Sequence, residues 1–166
     1  MEIIEIGAVK VQLSDFSKVD EFQAFIKPLR TPILTDFCKT LTGIRQADVD
    51  NAKTFYEVAP SFFEWCWKGK EPLAWCSWAM YDYYQLEQDC DHYFIDNELL
   101  YIEHINLKNL YGDAHAGRRR GLKNALQEQG LPFVGRNHRG LDDAKNALSI
   151  VKHMPTFQEA ILSKIK

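Results

Sequence analysis

Long apolar runs are missing from this 166-residue chain. No stretch approaches the roughly eighteen consecutive apolar residues of a membrane-spanning helix, and no charged segment followed by an apolar block opens the sequence, so membrane insertion and export are both disfavoured. A charge excess is missing as well: 20 Lys and Arg stand against 23 Asp and Glu, a net −3. Without a global basic field, any grip on nucleic acid has to come from local patches. Cysteine is sparse, and Cys38, Cys66, Cys76 and Cys90 form no C-x-x-C pair. A domain of this size does not need disulfide staples, so reduced thiols in a cytoplasmic protein are expected. A zinc site on Cys90 and His92 finds no further ligands at a suitable spacing. Repeats, low-complexity tracts and linkers are also absent. What remains is a chain that is 46% hydrophobic, enough to bury the core of one domain over residues 1–166.

Along the chain, strand and helix signals interleave, which gives an α/β fold class. "EIIEIGAVKVQL" has apolar residues on both faces, as an interior strand does, and "FQAFIKP" alternates until Pro28, so the two predict a hairpin around "SDFSKVDE". From Thr35 to Trp67 the signals are helical, with a short helix to Thr42 and a break at Gly43. Thr54 and Glu57 then form a capping box ahead of an aromatic helix that Pro60 kinks or delays. "PLAWCSW" predicts a short buried strand and "YDYYQLEQDCDHY" a helix, while "YIEHINLKNLY" fits strand or helix equally. Leu122, Ala125 and Leu126 share a helical face that Gly130 stops. Leu141, Ala144, Leu148 and Val151 share the next, closed by Pro155, and Thr156 with Glu159 offers a capping box for a last helix.

Two places in this pattern hold residues that could carry chemistry. Asp82, Leu86, Cys90 and Tyr93 fall on one core-facing stripe headed by a carboxylate, and a charge aimed at an interior needs a partner or a metal. Asp82 equally fits a helix-start acid favoured by the dipole. In "GRNHRGLDDAKNAL", Asp142 and Asp143 open a helix five residues after His138. An ordinary acidic first turn and a loop histidine account for that pattern. So does a site in which a carboxylate holds Mg²⁺ or Mn²⁺ and a neutral imidazole takes a proton from water.

Five segments in order, "EIIEIGAVKV", "FQAFIKP", "LTGIRQADVDNA" leading into "FFEW", "WCSWAMYDYYQLEQDC" and "HRGLDDAKNAL", give the chain a resemblance to the DEDDh family of 3′-to-5′ exonucleases in the ribonuclease H-like superfamily. The similarity runs almost end to end. It is greatest to the branch holding exoribonucleases of small structured RNAs and their bacterial relatives. The resemblance implies a mixed sheet flanked by helices, Asp82 and Asp143 as metal ligands and His138 as general base. It also implies a two-metal hydrolysis that releases nucleoside monophosphates from the 3′ end of single-stranded RNA or DNA. Arg136 and Arg139, which flank the base, are candidates for substrate phosphate. Arg118, Arg119, Arg120 and Lys123 form a basic run that fits a phosphate contact or a solvated surface. Trp65, Trp67, Trp75 and Trp78 are expected mainly in the core.

The family pattern begins with a D-x-E strand that supplies two further carboxylates, immediately upstream of the segment matched by "EIIEIGAVKV". Glu2 and Glu5 lie on the neighbouring strand of that pattern and are not assigned to those roles. The expectation is an N-terminally truncated domain lacking its first, central strand, with an incomplete two-metal site. The rival from another class is a non-catalytic nucleic-acid-binding or interaction module. Oligomeric state is not legible in the sequence.

Overall fold

The alternating apolar residues at the front of the chain build the sheet that carries the site. In this computed structural model, which describes residues 1–69 and 71–165, β1 (Glu5–Val11) pairs antiparallel with β2 (Lys18–Lys27), placing Glu5 opposite Phe25 and Ala8 opposite Phe22. β2 starts earlier than its sequence predicts, because residues 12–17 close the turn with a bond from Gln12 N to Ser17 O at 2.9 Å. The far end of β2 runs parallel to the two-residue β3 (Lys53–Thr54). A second, parallel sheet joins β4 (Ala74–Ser77) to β5 (Glu103–Asn106). Among the described residues, β1 and β4 each pair along one edge only. β4 is correspondingly less buried than its sequence suggests: Ser77 is buried and Cys76 is exposed.

Helices pack on both sheets. α1 (Asp36–Thr42) ends at Gly43, whose φ of 72° is the left-handed conformation that a helix stop favours. α2 (Gln46–Asp50) follows. α3 (Phe55–Trp67) starts at the predicted box, the Glu57 carboxylate accepting from Thr54 N and Oγ1, both at 2.8 Å; the later start that Pro60 allowed is not taken. α4 (Tyr81–Tyr93) spans the predicted segment. The ambiguous stretch after it holds both element types, since β5 gives way to α5 (Leu107–Ala114) where the Asn106 side chain caps Asn109 N. α6 (Leu122–Glu128), α7 (Gly140–His153) and α8 (Pro155–Lys164) complete the chain. The predicted Thr156 box does not form: Pro155, with its fixed φ and no N–H to satisfy, occupies the first helical position instead.

Two main cores result. One lies among α5 to α8 around Tyr111, Leu126, Ile150 and Phe157, the other between the hairpin, α3 and α4 around Ile26, Phe63 and Cys90. The four tryptophans are half-buried at the margins of these cores. α7 meets β1 so closely that a Cβ on Gly7 would lie 1.9 Å from Leu141 N, and one on Gly140 would lie 2.9 Å from Gly7 N. This seam sets the N-terminal turn of α7 against the sheet.

Candidate active site

Asp82 enters the site from the first turn of α4. Leu86 and Cys90 on the same face are buried and fix the helix in the core, so Asp82 stands at the open end of that stripe, exposed to solvent. Protein still surrounds it closely enough that desolvation raises its carboxyl above the ordinary value of 3.8. The stripe predicted from sequence is therefore a core face whose first member stands outside the core.

The second part of the site is the loop before α7 and the first turn of that helix. Alternate amides along the loop each donate to a side chain: Val134 N to Asn146 Oδ1 (2.9 Å), Arg136 N to Asp142 Oδ2 (2.8 Å), His138 N to Asp143 Oδ1 (3.2 Å) and Gly140 N to Glu5 Oε2 (3.0 Å). Asn146, 1% exposed, also donates to the carbonyls of Val134 and Asp142, both at 2.7 Å. Held this way, His138 adopts φ 67°, a left-handed conformation that is unusual for a residue with a side chain and costs about 1–3 kcal/mol. Its imidazole is exposed.

Asp143 is half-buried. Desolvation pushes its carboxyl up to about 6; the His138 amide works against this, and the negative charges of Asp82, Asp142 and Glu5 add to it. The effect of Asp82 on Asp143 links two carboxylates 61 residues apart in sequence through space.

Both candidate phosphate-binding arginines already have protein partners. Arg139 holds the Glu5 carboxylate with a two-pronged grip, Nε to Oε2 at 3.0 Å and Nη2 to Oε1 at 3.1 Å, and its guanidinium lies 5.0 Å from the centre of the Phe25 ring. Arg136 donates from Nη2 to Thr40 O at 3.1 Å and lies against Gly43. A substrate phosphate would meet only their remaining donors. The basic run lies elsewhere, its Arg120 carbonyl accepting from Trp78 Nε1 at 3.0 Å and its Arg120 side chain paired with Glu128.

Carboxylate oxygens suit a hard divalent cation, and a positive charge would relieve the burden on Asp143. Mg²⁺ commonly takes one or two carboxylates and completes its shell with water and substrate phosphate. Asp82 and Asp143 supply the donor type that such an ion takes. Among the described residues no three His, Cys, Asp or Glu side chains gather as a metal-ligating group, so these residues alone do not furnish a two-ion centre. Sequence reasoning did not single out Asn146, and it set Glu5 aside as a residue of the neighbouring strand. Asn146 left one trace, a polar residue four places after Asp142 inside an apolar helix pattern.

Comparison with known proteins finds that the family model RNase_T, described as an exonuclease, matches residues 1–151. The fission-yeast (Schizosaccharomyces pombe) 3′-5′ exonuclease eri1 is 31% identical over 92% of this chain and 60% of its own length. Human ERI1 exoribonuclease 2 is 33% identical over 87% of this chain and 24% of its own. The chain thus spans between about a quarter and three fifths of these relatives. Among solved structures, the nuclease domain of 3′hExo, described as a DEDDh family member bound to rAMP, superposes with a TM-score of 0.83 at 27% identity, covering 99% of this chain and 82% of that one. A structure of 3′-end specific recognition of histone mRNA stem-loop by 3′-exonuclease gives the same TM-score at 26% identity over 99% of this chain and 73% of that one.

Proposed function

Since the chain belongs to the RNase_T exonuclease family, whose DEDDh members use divalent metal ions, we propose that it is a 3′-to-5′ exonuclease releasing nucleoside monophosphates from single-stranded 3′ ends, RNA above all. What supports this reading is the exonuclease family match over residues 1–151, together with the His138 amide that donates to Asp143 Oδ1 and the negative charge of Asp82 that helps hold the Asp143 carboxyl up. The relatives named as exoribonucleases, and the neighbour described with a histone mRNA stem-loop, support RNA as the substrate class.

In the proposed mechanism, His138 takes the proton from the attacking water; its exposure and the loop's bonded amides hold the ring open to substrate. Asp82 and Asp143 would hold Mg²⁺ or Mn²⁺, which when bound supplies Lewis-acid polarisation of the scissile phosphate. Arg136, exposed at the loop, offers its remaining donors to a substrate phosphate, and Arg139 has less of its guanidinium to offer.

A second reading, a non-catalytic nucleic-acid-binding or interaction module, is favoured by one observation: no three-ligand group exists among the described residues. The test compares the chain, a form extended upstream, and Asp143→Ala in each, on 5′-labelled single-stranded RNA and DNA with Mg²⁺ or Mn²⁺. Stepwise shortening that depends on metal and is lost in Asp143→Ala supports the nuclease. Binding of RNA with no shortening in either form supports the module.

A further inference from the structure

The loop that carries His138 is tied mostly to its own helix. Three of its four alternate amides donate to Asn146, Asp142 and Asp143, all on α7. These bonds shape the loop but do not set where it sits relative to the rest of the protein. The fourth amide, Gly140 N, donates to Glu5 on β1, 135 positions away in the chain.

The Glu5 carboxylate is almost enclosed, 4% exposed, and every bond it makes points across this seam or along the sheet. Oε2 accepts from Gly140 N and Arg139 Nε, while Oε1 accepts from Arg139 Nη2 and from Gln23 Nε2 on β2 at 2.6 Å. Phe25, the cross-strand partner of Glu5, lies under the Arg139 guanidinium. Glu5 thus grips two consecutive residues, 139 and 140, immediately after His138, and a carboxylate at a helix N-terminus is favoured by the dipole as well. The contact of Gly7 with Gly140 fixes the distance between strand and helix. The two-pronged pair fixes the rotation of the loop.

We infer that Glu5 is a positioning residue of the nuclease site: acting through Arg139 and Gly140, it sets the place of His138 and of the first turn bearing Asp143, without touching substrate or metal. The inference rests on the nuclease reading for its functional half, while its structural half is measurable without any activity. A shift of about 1 Å in a catalytic group costs up to roughly a hundredfold in rate, which sets the scale.

The experiment makes Glu5→Gln, Arg139→Gln and the double variant in whichever form of the chain cleaves RNA, and measures kcat, KM and hydrogen–deuterium exchange. Glu5→Gln keeps an oxygen for the Gly140 amide and loses the charged grip on Arg139. For Glu5→Gln the expected result is a kcat lowered roughly tenfold to a hundredfold with KM held within about threefold. The double variant should be no slower than the slower single variant, and deuterium uptake should rise across residues 136–143 with no change in α3. Losses that multiply in the double variant, or unchanged uptake across 136–143, overturn the inference. If no form of the chain cleaves RNA, the nuclease reading fails on that ground, and the uptake across 136–143 alone decides the role of Glu5.

Discussion

Replacing Asp143 by Asn should make the metal-free protein more stable while removing its activity. The Asp143 carboxyl is pushed from 3.8 to about 6, first by desolvation and then by its acidic neighbours. At neutral pH a displacement of that size corresponds to about 3 kcal/mol, which partial solvent contact reduces to about 1–2 kcal/mol. The sign follows from proton binding. The folded state holds this proton more tightly than the unfolded state, so there is no penalty below about pH 4. It grows as pH rises from about 4 to about 6 and is complete above that. Asn keeps an oxygen to accept from His138 N, so the existing bond survives the change. Urea unfolding in the presence of a chelator should place Asp143→Asn about 1–2 kcal/mol above the parent near pH 7.5, or roughly 2–8 °C in Tm, with the gain vanishing near pH 4. Saturating Mg²⁺ should raise the parent and leave the variant unmoved. A variant no more stable than the parent near pH 7.5, or a gain that persists unchanged at pH 4, would refute the reasoning.

Gly7→Ala should cost about 3 kcal/mol or more and lower Tm by at least about 6 °C, because its Cβ would meet backbone atoms of Gly140 and Leu141 that have nowhere to go; thermal unfolding at parental temperature would contradict the seam. Arg136→Ala should raise KM for single-stranded RNA and reduce the slope of log affinity against log salt by about 0.7. An unmoved slope would remove Arg136 from the phosphate contacts.

What the sequence revealed and what it concealed divide by the range of the interaction. The Thr54 box, the Gly43 stop and the whole of α4 were legible because capping and amphipathic periodicity act within a few residues. The Thr156 box failed within that same range, since Pro155 competes for the helix start with a stronger local constraint. β4 was overcalled as buried, because seven residues of aromatic and apolar sequence cannot report how many neighbours a strand will have. Asp82, His138 and Asp143 were nominated by resemblance; their spacing left the ordinary reading open. Glu5 and Arg139 form a bond across 134 positions, and no periodicity reaches that far. Asn146 differs again: its three bonds are all near in sequence, but an asparagine within an apolar helix pattern looks the same whether it faces water or a loop backbone.

The paired glycines where α7 crosses β1 have a consequence for how such a protein can diverge. Surface charges and even core aliphatics can be exchanged one at a time, each with a neighbour that gives way a little. At residues 7 and 140 the opposing atoms are main chain on both sides, so neither position can gain a methyl group while the other stays put. Variation in descendants of this chain is thereby channelled away from the crossing point, and the spacing between sheet and helix is inherited as a single, indivisible trait.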